Sequence, residues 1–236
     1  MISEFQHYSI MVLDVVGFGG RDDRFQQWIR RDLDELVSDA FKVSGLVLSD
    51  MVLEDRGDGM VILIPATVSK MRLLDPLVDR IEVLLRQHND AVSDQRRIRL
   101  RLALHAGEIA GDGRGWVGTE LNTAFRLVDS EPIRAALEEH PEAQLAVIVS
   151  DLIHQLVIRH GHGAVRPSDY VRVSVKAKEL VMDAWIRVTG RHVTPSAPVE
   201  PRTERRSATD GGGTTFNGPI TVGGDFVGGS KIVGRS

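Results

Sequence analysis

The feature that most constrains the fold is the order in which the hydrophobic period changes along the first half of the chain. The apolar, β-branched run SIMVLDVVGFGG predicts a buried strand that ends in glycines. From Asp22 to about Val43, apolar residues recur every three or four positions, which predicts an amphipathic helix that ends at Gly45. The runs LVLSDMVLE and GMVILIP, a helical stretch over 68–88 and the alternating segment IRLRLALH then complete a β-α-β-β-α-β order.

This order is typical of the ferredoxin-like split βαβ arrangement, an α+β fold in which an antiparallel sheet carries helices on one face. The glycine-rich segment AGEIAGDGRGWVG is predicted to be a connection. Beyond it we expect a helix at TELNTAFRLVDS, a short helix around 131–139, a strand at LAVIVS and a helix at DLIHQLVIRH. The segments YVRVSVKAK and LVMDAWIRV are predicted to form a closing antiparallel pair.

The composition changes sharply near residue 190. Residues 1–190 are predicted to form one domain, whereas 191–236 are rich in proline and glycine and are predicted to be a disordered linker and tail. A docking strand for a partner is the alternative interpretation of the glycine-rich tail.

The overall composition excludes several classes of function. The chain has no cysteine, which rules out disulfides, thiolate zinc sites and cysteine nucleophiles. Its net charge of -4 offers no basic surface for nucleic acid or an anionic membrane. No apolar run approaches the ~20 residues that span a bilayer, and the start MISEFQHYS lacks the features of a signal peptide. We therefore expect a cytoplasmic protein that binds neither nucleic acid nor membranes.

The turn in EDRGDGMVILIP carries three acidic side chains, Glu54, Asp55 and Asp58. Like charges this close repel one another unless a cation or a donor lies between them. Asp14 ends the first strand, and neighbouring strands can bring it next to Asp58. Two carboxylates beside glycine-rich backbone suit Mg²⁺ or Mn²⁺, which prefer oxygen ligands. Taken alone, the Asp58–Gly59 pair also suits a solvated hairpin turn.

Two further pairs of polar residues have spacings that point them the same way. Asn122 and Arg126 lie four apart on one predicted helix, where an amide and a guanidinium can hold a ribose and a phosphate oxygen. Lys176 and Lys178 lie on one face of a predicted strand and can bind a polyphosphate. An exposed helix face and an outer strand with lysines are the plainer interpretations.

Taken together, five fragments in this order resemble the class III nucleotidyl cyclases over roughly residues 8–188. LDVVGFG resembles the first metal motif of that family, DRGDGMVIL its Gly-Asp hairpin, and RLRLALHAGEI the strand that ends in His and Gly. VGTELNTAFRL resembles the helix with the pattern Gly-x-x-x-Asn-x-x-x-Arg, and VKAKELVMDAWIRV the closing strands that carry lysine.

The resemblance implies a two-metal reaction that forms a 3′,5′-cyclic nucleotide and pyrophosphate from a nucleoside triphosphate. Asp14 and Asp58 would bind two Mn²⁺ or Mg²⁺ ions, which activate the ribose 3′-hydroxyl and bridge the triphosphate. Asn122 would position the ribose, and Arg126 would stabilise charge on the α-phosphoryl group.

The resemblance also implies how substrate and subunits are arranged. Lys176 would hold the terminal phosphates, and Phe18, in the first metal motif, would belong to the substrate-binding residues. Because the two halves of the family's site come from different chains, we expect a head-to-tail homodimer with active sites at its interface.

The two positions that read the base in the family are Glu54 and Gly115 here, a combination found in neither adenylate nor guanylate cyclases. Glu54 can accept a hydrogen bond from a base N–H, as in uracil or guanine, whereas Gly115 has no side chain. The segment from Gly111 to Gly118 is also shorter than the arm of purine cyclases.

These departures resemble the pyrimidine cyclases of bacterial Pycsar anti-phage systems. The resemblance favours UTP as substrate, then GTP or CTP, with cUMP acting on a separate effector. A guanylate cyclase and a catalytically silent nucleotide-binding module remain the alternatives.

Overall fold

The computed structural model describes residues 4–111, 115–177 and 180–190. The predicted tail 191–236, Lys178 and the tip of the connection at 112–114 lie outside these residues. The strands are β1 Gln6–Val15, β2 Val52–Asp55, β3 Gly59–Pro65, β4 Leu100–Gly111, β5 Trp116–Val117, β6 Leu145–Ser150, β7 Val171–Ala177 and β8 Leu180–Val188. The helices are α1 Asp23–Val43, α2 Lys70–Arg72, α3 Asp79–Ala91, α4 Thr119–Val128, α5 Glu131–Glu138 and α6 Asp151–Leu156.

Seven of the strands form one sheet in the order β2-β3-β1-β4-β6-β8-β7, and β5 pairs with β4. The first four positions have the strand order of a split βαβ fold, with every pair among them antiparallel. The β4–β6 pair is parallel, because a helical crossover joins these two strands. The predicted α+β class and split βαβ core are therefore confirmed.

Helices cover both faces of the sheet. Odd-numbered residues of β1, such as Met11 and Leu13, pack with apolar residues of α1 and α3. The even-numbered residues Ile10 and Val12 pack with α4 and α5 on the opposite face. The expectation of helices on one face thus holds for the first six elements, and the later helices α4 and α5 cover the other face.

Several element boundaries differ from the sequence expectation. Only the last three residues of the segment LVLSDMVLE belong to a strand, β2, which follows a 3₁₀ turn over Leu48–Asp50 and ends one residue beyond the segment. Helix 68–88 is interrupted at Leu73–Val78, because Pro76 has no N–H to donate and Asp75 before it is extended.

The glycine-rich connection and the helix predicted at DLIHQLVIRH also differ. The connection is partly strand, since β4 continues to Gly111 and pairs with Trp116 of β5. The helix ends earlier than expected, at Leu156, and a 3₁₀ turn over Ile158–His160 follows it.

None of the helices in the described ranges is long and apolar enough to cross a membrane. The division of the chain into a domain at 1–190 and a tail at 191–236 stays a prediction, because the tail lies outside the described residues.

Candidate active site

Antiparallel pairing of β1 with β3 brings Asp14 next to the turn that carries Asp58. Asp14 lies opposite Gly59 in the register, and the Val15 N–H donates to the Asp58 carbonyl over 2.8 Å. A Cβ on Gly59 would lie 2.0 Å from the Leu13 carbonyl oxygen, so the close approach requires glycine at this position. The two aspartates therefore sit at one end of the central strand pair.

Arg101 of β4 is the counter-ion of Asp14. The two residues face each other in the β1–β4 register, and Arg101 donates to Asp14 Oδ2 from Nε over 2.8 Å and from Nη2. Both side chains are largely buried, with 16% of Asp14 and 13% of Arg101 exposed. Asp14 Oδ1 takes no hydrogen bond from the described part of the chain, which leaves that oxygen open to a cation.

The electrostatic surroundings of Asp14 raise its pKa. Burial is the largest cause, the guanidinium of Arg101 opposes it, and the negative charges of Asp58 and Asp129 add to it. Asp58 itself is exposed. A cation between Asp14 and Asp58 would offset this repulsion.

The carboxylate pair fits a hard divalent cation only when other groups complete its coordination. Within the described ranges, no three histidine, aspartate or glutamate side chains lie close enough together to hold a metal ion. The protein thus offers two carboxylates, and substrate phosphates, water or backbone carbonyls must supply the remaining oxygen ligands. This matches the chemistry of Mg²⁺ and Mn²⁺ sites that share a phosphate substrate.

The three acidic residues in and beside the β2–β3 turn have three different environments. Asp55 Oδ1 accepts from the Gly57 N–H over 2.6 Å, which stabilises the turn locally. The Gly57 carbonyl accepts from Arg30 Nε of α1 over 2.7 Å. The turn is therefore held both by its own strand and by helix α1. Glu54 is partly buried and accepts from Arg56, whereas Asp58 is exposed.

Helix α4 is attached to β4 at its first turn. Glu120 Oε2 lies 2.5 Å from His105 Nε2, and His105 Nδ1 lies 2.8 Å from Ser150 Oγ. A neutral His105 that donates from Nε2 and accepts at Nδ1 satisfies both contacts, and burial lowers its pKa, which favours that neutral form. Gly107 is required beneath this contact, since a Cβ there would lie 2.3 Å from Glu120 Cγ.

The outer side of α4 presents the two residues with the predicted ribose and phosphoryl roles. The helix buries Leu121, Ala124, Leu127 and Val128 against the sheet. Asn122 is consequently exposed and Arg126 is half-buried. Arg126 forms no ion pair with any residue in the described ranges, so its guanidinium is available to an anion.

The remaining predicted residues are spread over the molecule. Lys176 is exposed on β7, the edge strand, and β4, β6 and β8 separate it from β1. Gly115 precedes β5, and a Cβ there would meet nothing within 4 Å. Phe18 is only 6% exposed and packs in the core, with the Arg30 guanidinium 5.4 Å from its ring centroid. The roles proposed for these side chains stay predictions.

Two arginines near the predicted site were missed by sequence reasoning. Arg101 lies in the alternating segment IRLRLALH, which indicates only a half-exposed strand. Its partner Asp14 is 87 positions away, so only the strand register identifies the pair. Arg56 lies between Glu54 and Asp58, and the sequence pattern of the turn indicates no separate role for it.

The architecture has counterparts among solved structures. No family model matches the sequence, and none of the curated proteins matches it. The guanylyl cyclase Cya2 superposes with a TM-score of 0.57 at 16% identity, over 85% of this chain and 98% of that chain. An adenylate/guanylate cyclase/hydrolase from Silicibacter pomeroyi gives a TM-score of 0.54 at 20% identity, over 80% and 99%.

A third neighbour was solved with a nucleotide. The guanylate cyclase domain of RhGC from Catenaria anguillulae, in complex with GTP, gives a TM-score of 0.50 at 17% identity, over 79% of this chain and 98% of that chain. The chain therefore has the fold of the class III adenylate and guanylate cyclase catalytic domains. Because one fold hosts several functions, the activity depends on the residues of the site.

Proposed function

We propose that this protein is a nucleotide cyclase that converts a nucleoside triphosphate into a 3′,5′-cyclic nucleotide and pyrophosphate. The observation that carries the proposal is the juxtaposition of Asp14 and Asp58 at one end of the central strands of a cyclase fold. A pair of carboxylates with few other protein ligands is suited to cations that the substrate phosphates also bind.

Asp14 and Asp58 are assigned to hold two Mg²⁺ or Mn²⁺ ions. When bound there, the ions would supply Lewis-acid chemistry, favouring loss of the ribose 3′-hydroxyl proton and offsetting charge on the triphosphate. Arg101 stays beside Asp14 and holds its carboxylate in a fixed orientation. Its remaining N–H groups can donate to a phosphate oxygen of the substrate.

The residues of α4 act on the sugar and the reacting phosphoryl group. Asn122 hydrogen-bonds the ribose and orients its 3′-hydroxyl for in-line attack. Arg126, with no competing carboxylate in the described ranges, donates to the α-phosphoryl oxygens as their charge changes in the transition state. Lys176 is assigned to the terminal phosphates, and Phe18 to the wall of the substrate site.

The active form is proposed to be a head-to-tail homodimer. Lys176 and the acidic pair lie on well-separated strands of one sheet, which suits a site completed by a second copy of the chain. Each of the two sites would then combine Asp14 and Asp58 of one subunit with Asn122, Arg126 and Lys176 of the other.

UTP is the proposed substrate, and cUMP the product. Glu54 lies on the strand face of β2 that adjoins α4 and offers a carboxylate to a base N–H. Gly115 has no side chain to contact a base, which supports a base contact unlike that of the purine cyclases. The product would act as a second messenger on a separate effector in anti-phage defence. GTP, and with it a guanylate cyclase, is the second candidate because two of the three structural neighbours described above are guanylate cyclases.

The test is to incubate the purified chain separately with UTP, CTP, GTP and ATP in the presence of Mn²⁺ and to resolve the products by chromatography. Cyclic UMP supports the full proposal, and cyclic GMP supports the second candidate. No product from any of the four would overturn the cyclase assignment and favour a silent nucleotide-binding module.

A further inference from the structure

Arg56 joins the β2–β3 turn to helix α4 through two contacts. Its Nη2 donates to Glu54 Oε2 over 2.9 Å. Its Cζ lies 5.0 Å from the ring centroid of Phe125, which is the residue before Arg126 on α4. A carboxylate and an aromatic face together hold a guanidinium in one orientation more firmly than either contact alone.

Arg56 and Glu54 leave hydrogen-bonding capacity unused. A guanidinium carries five N–H donors, and Arg56 makes one side-chain hydrogen bond within the described residues. The side chains are partly open to solvent, 44% for Arg56 and 28% for Glu54. The pair therefore presents fixed N–H donors and a carboxylate acceptor side by side, next to the helix that carries Asn122.

We propose that Arg56 is a second base-reading residue, which donates to the carbonyl oxygen of a base while Glu54 accepts from the adjacent ring N–H. This inference rests on the proposed function and names its substrate class. Uracil offers N3–H beside O4, and guanine offers N1–H beside O6. Both edges match a carboxylate next to a guanidinium.

Bases with an amino group are mismatched in the same orientation. Cytosine and adenine turn a ring nitrogen lone pair toward Glu54 and an N–H₂ group toward Arg56, so acceptor meets acceptor and donor meets donor. Polar groups that a bound base covers and leaves unpaired discriminate strongly between substrates. The Arg56–Glu54 pair thus selects UTP over CTP and GTP over ATP.

A purely structural role for Arg56, as a clamp between the turn and α4, makes a different prediction. Loss of a clamp lowers activity with every nucleotide by a similar factor, because it displaces the site as a whole. Loss of a base-reading residue changes the ratio between nucleotides. The ratio is therefore the decisive measurement.

The experiment uses the full chain and compares kcat/KM for UTP, CTP, GTP and ATP in wild type, Arg56→Ala and Arg56→Lys. Arg24→Ala is the matched control, since Arg24 is also exposed and its Cζ lies 5.6 Å from the Trp28 ring centroid, on α1 at the opposite face of the sheet. We expect Arg56→Ala to reduce the UTP/CTP and GTP/ATP ratios about 10-fold or more, and Arg24→Ala to leave them unchanged.

Arg56→Lys keeps the positive charge but loses the planar arrangement of donors, so we expect an intermediate ratio. This variant also decides the question if Arg56→Ala does not fold. Ratios within about two-fold of wild type in either folded variant would overturn the inference, even where the absolute rates fall.

A parallel binding measurement separates failure of this inference from failure of the proposed function. Calorimetric titration with 3′-deoxy-UTP and 3′-deoxy-CTP, which lack the attacking hydroxyl, reports base preference without turnover. A wild-type chain that makes no cyclic nucleotide but prefers 3′-deoxy-UTP, with the preference lost in Arg56→Ala, contradicts only the cyclase assignment. Equal binding of both probes by wild type would overturn the role of Arg56.

Discussion

The acidic end of β1 and the outer side of α4 carry different halves of the proposed chemistry. The two regions differ in how firmly the rest of the chain holds their side chains. Asp14 is largely buried, is fixed by strand register and already has a counter-ion in Arg101. Asn122 and Arg126 project from a helix, and Arg126 has no ion pair within the described ranges.

The acidic half is held in place by backbone pairing and by a buried ion pair. The geometry at Asp14 and Asp58 follows from backbone pairing, because Gly59 permits the close approach of the turn. The contact between Glu120 and His105 positions helix α4, whereas Arg126 on that helix forms no ion pair with any residue that the structure describes.

Asp58→Asn tests the acidic end of β1 and has the largest expected effect. We expect turnover to fall about 1,000-fold or more, because the neutral amide is a weaker ligand for a divalent cation. Thermal unfolding should change little, within about 0.5 kcal/mol, since the Asp58 side chain is exposed. Asp55→Asn is the matched control, because asparagine retains the local turn bond to the Gly57 N–H. Comparable losses in both variants would mean that the turn as a whole matters and Asp58 has no separate role.

The α4 half is tested by Arg126→Ala, for which we expect kcat to fall about 100-fold with a smaller change in KM. The reason is that the guanidinium is assigned to charge that develops in the transition state. Steady-state kinetics with UTP and Mn²⁺ measure both parameters. A rise in KM at unchanged kcat would instead assign Arg126 to binding alone.

A mixture of the Asp58→Asn and Arg126→Ala chains tests whether the acidic half and the α4 half of the site meet across a dimer. Random assortment of Asp58→Asn and Arg126→Ala chains makes half of the dimers mixed, and each mixed dimer has one intact site. We therefore expect activity of about a quarter of wild type, well above either variant alone. Activity equal to the average of the separate variants would show that each site lies within one chain.

The smallest expected effect is on the pH dependence of stability, through His105, which contacts Glu120 at the start of α4. Burial lowers the pKa of His105 below its ordinary value of 6.5, so the unfolded chain takes up a proton before the folded chain does. The resulting contribution to stability is fully present above pH 6.5 and is lost as the pH falls below it, through the lowered pKa of the folded chain. The free energy of unfolding is measured with urea at several pH values for wild type and for His105→Gln. We expect its curve against pH to be flatter for the variant. Parallel curves would contradict this assignment.

Much of the fold was predictable because its signals are local. The three-and-four spacing that defines α1 and α4 and the β-branched runs of β1 and β3 follow from short-range periodicity. The irregular segment around Pro76 was missed because the flanking apolar spacing continues through it.

Within the site, the sequence by itself determined which residues share a face. Asn122 and Arg126 had to lie together because four positions make about one helical turn, and the Asp58–Gly59 pair predicted the turn between β2 and β3, which lies at residues 56–58. Only the tertiary structure decided that Arg101 pairs with Asp14 and that Arg56 lies against Phe125. The physical reason is that periodicity assigns a side chain to one face of its own element, whereas its partner depends on strand register and helix packing between segments far apart in the chain.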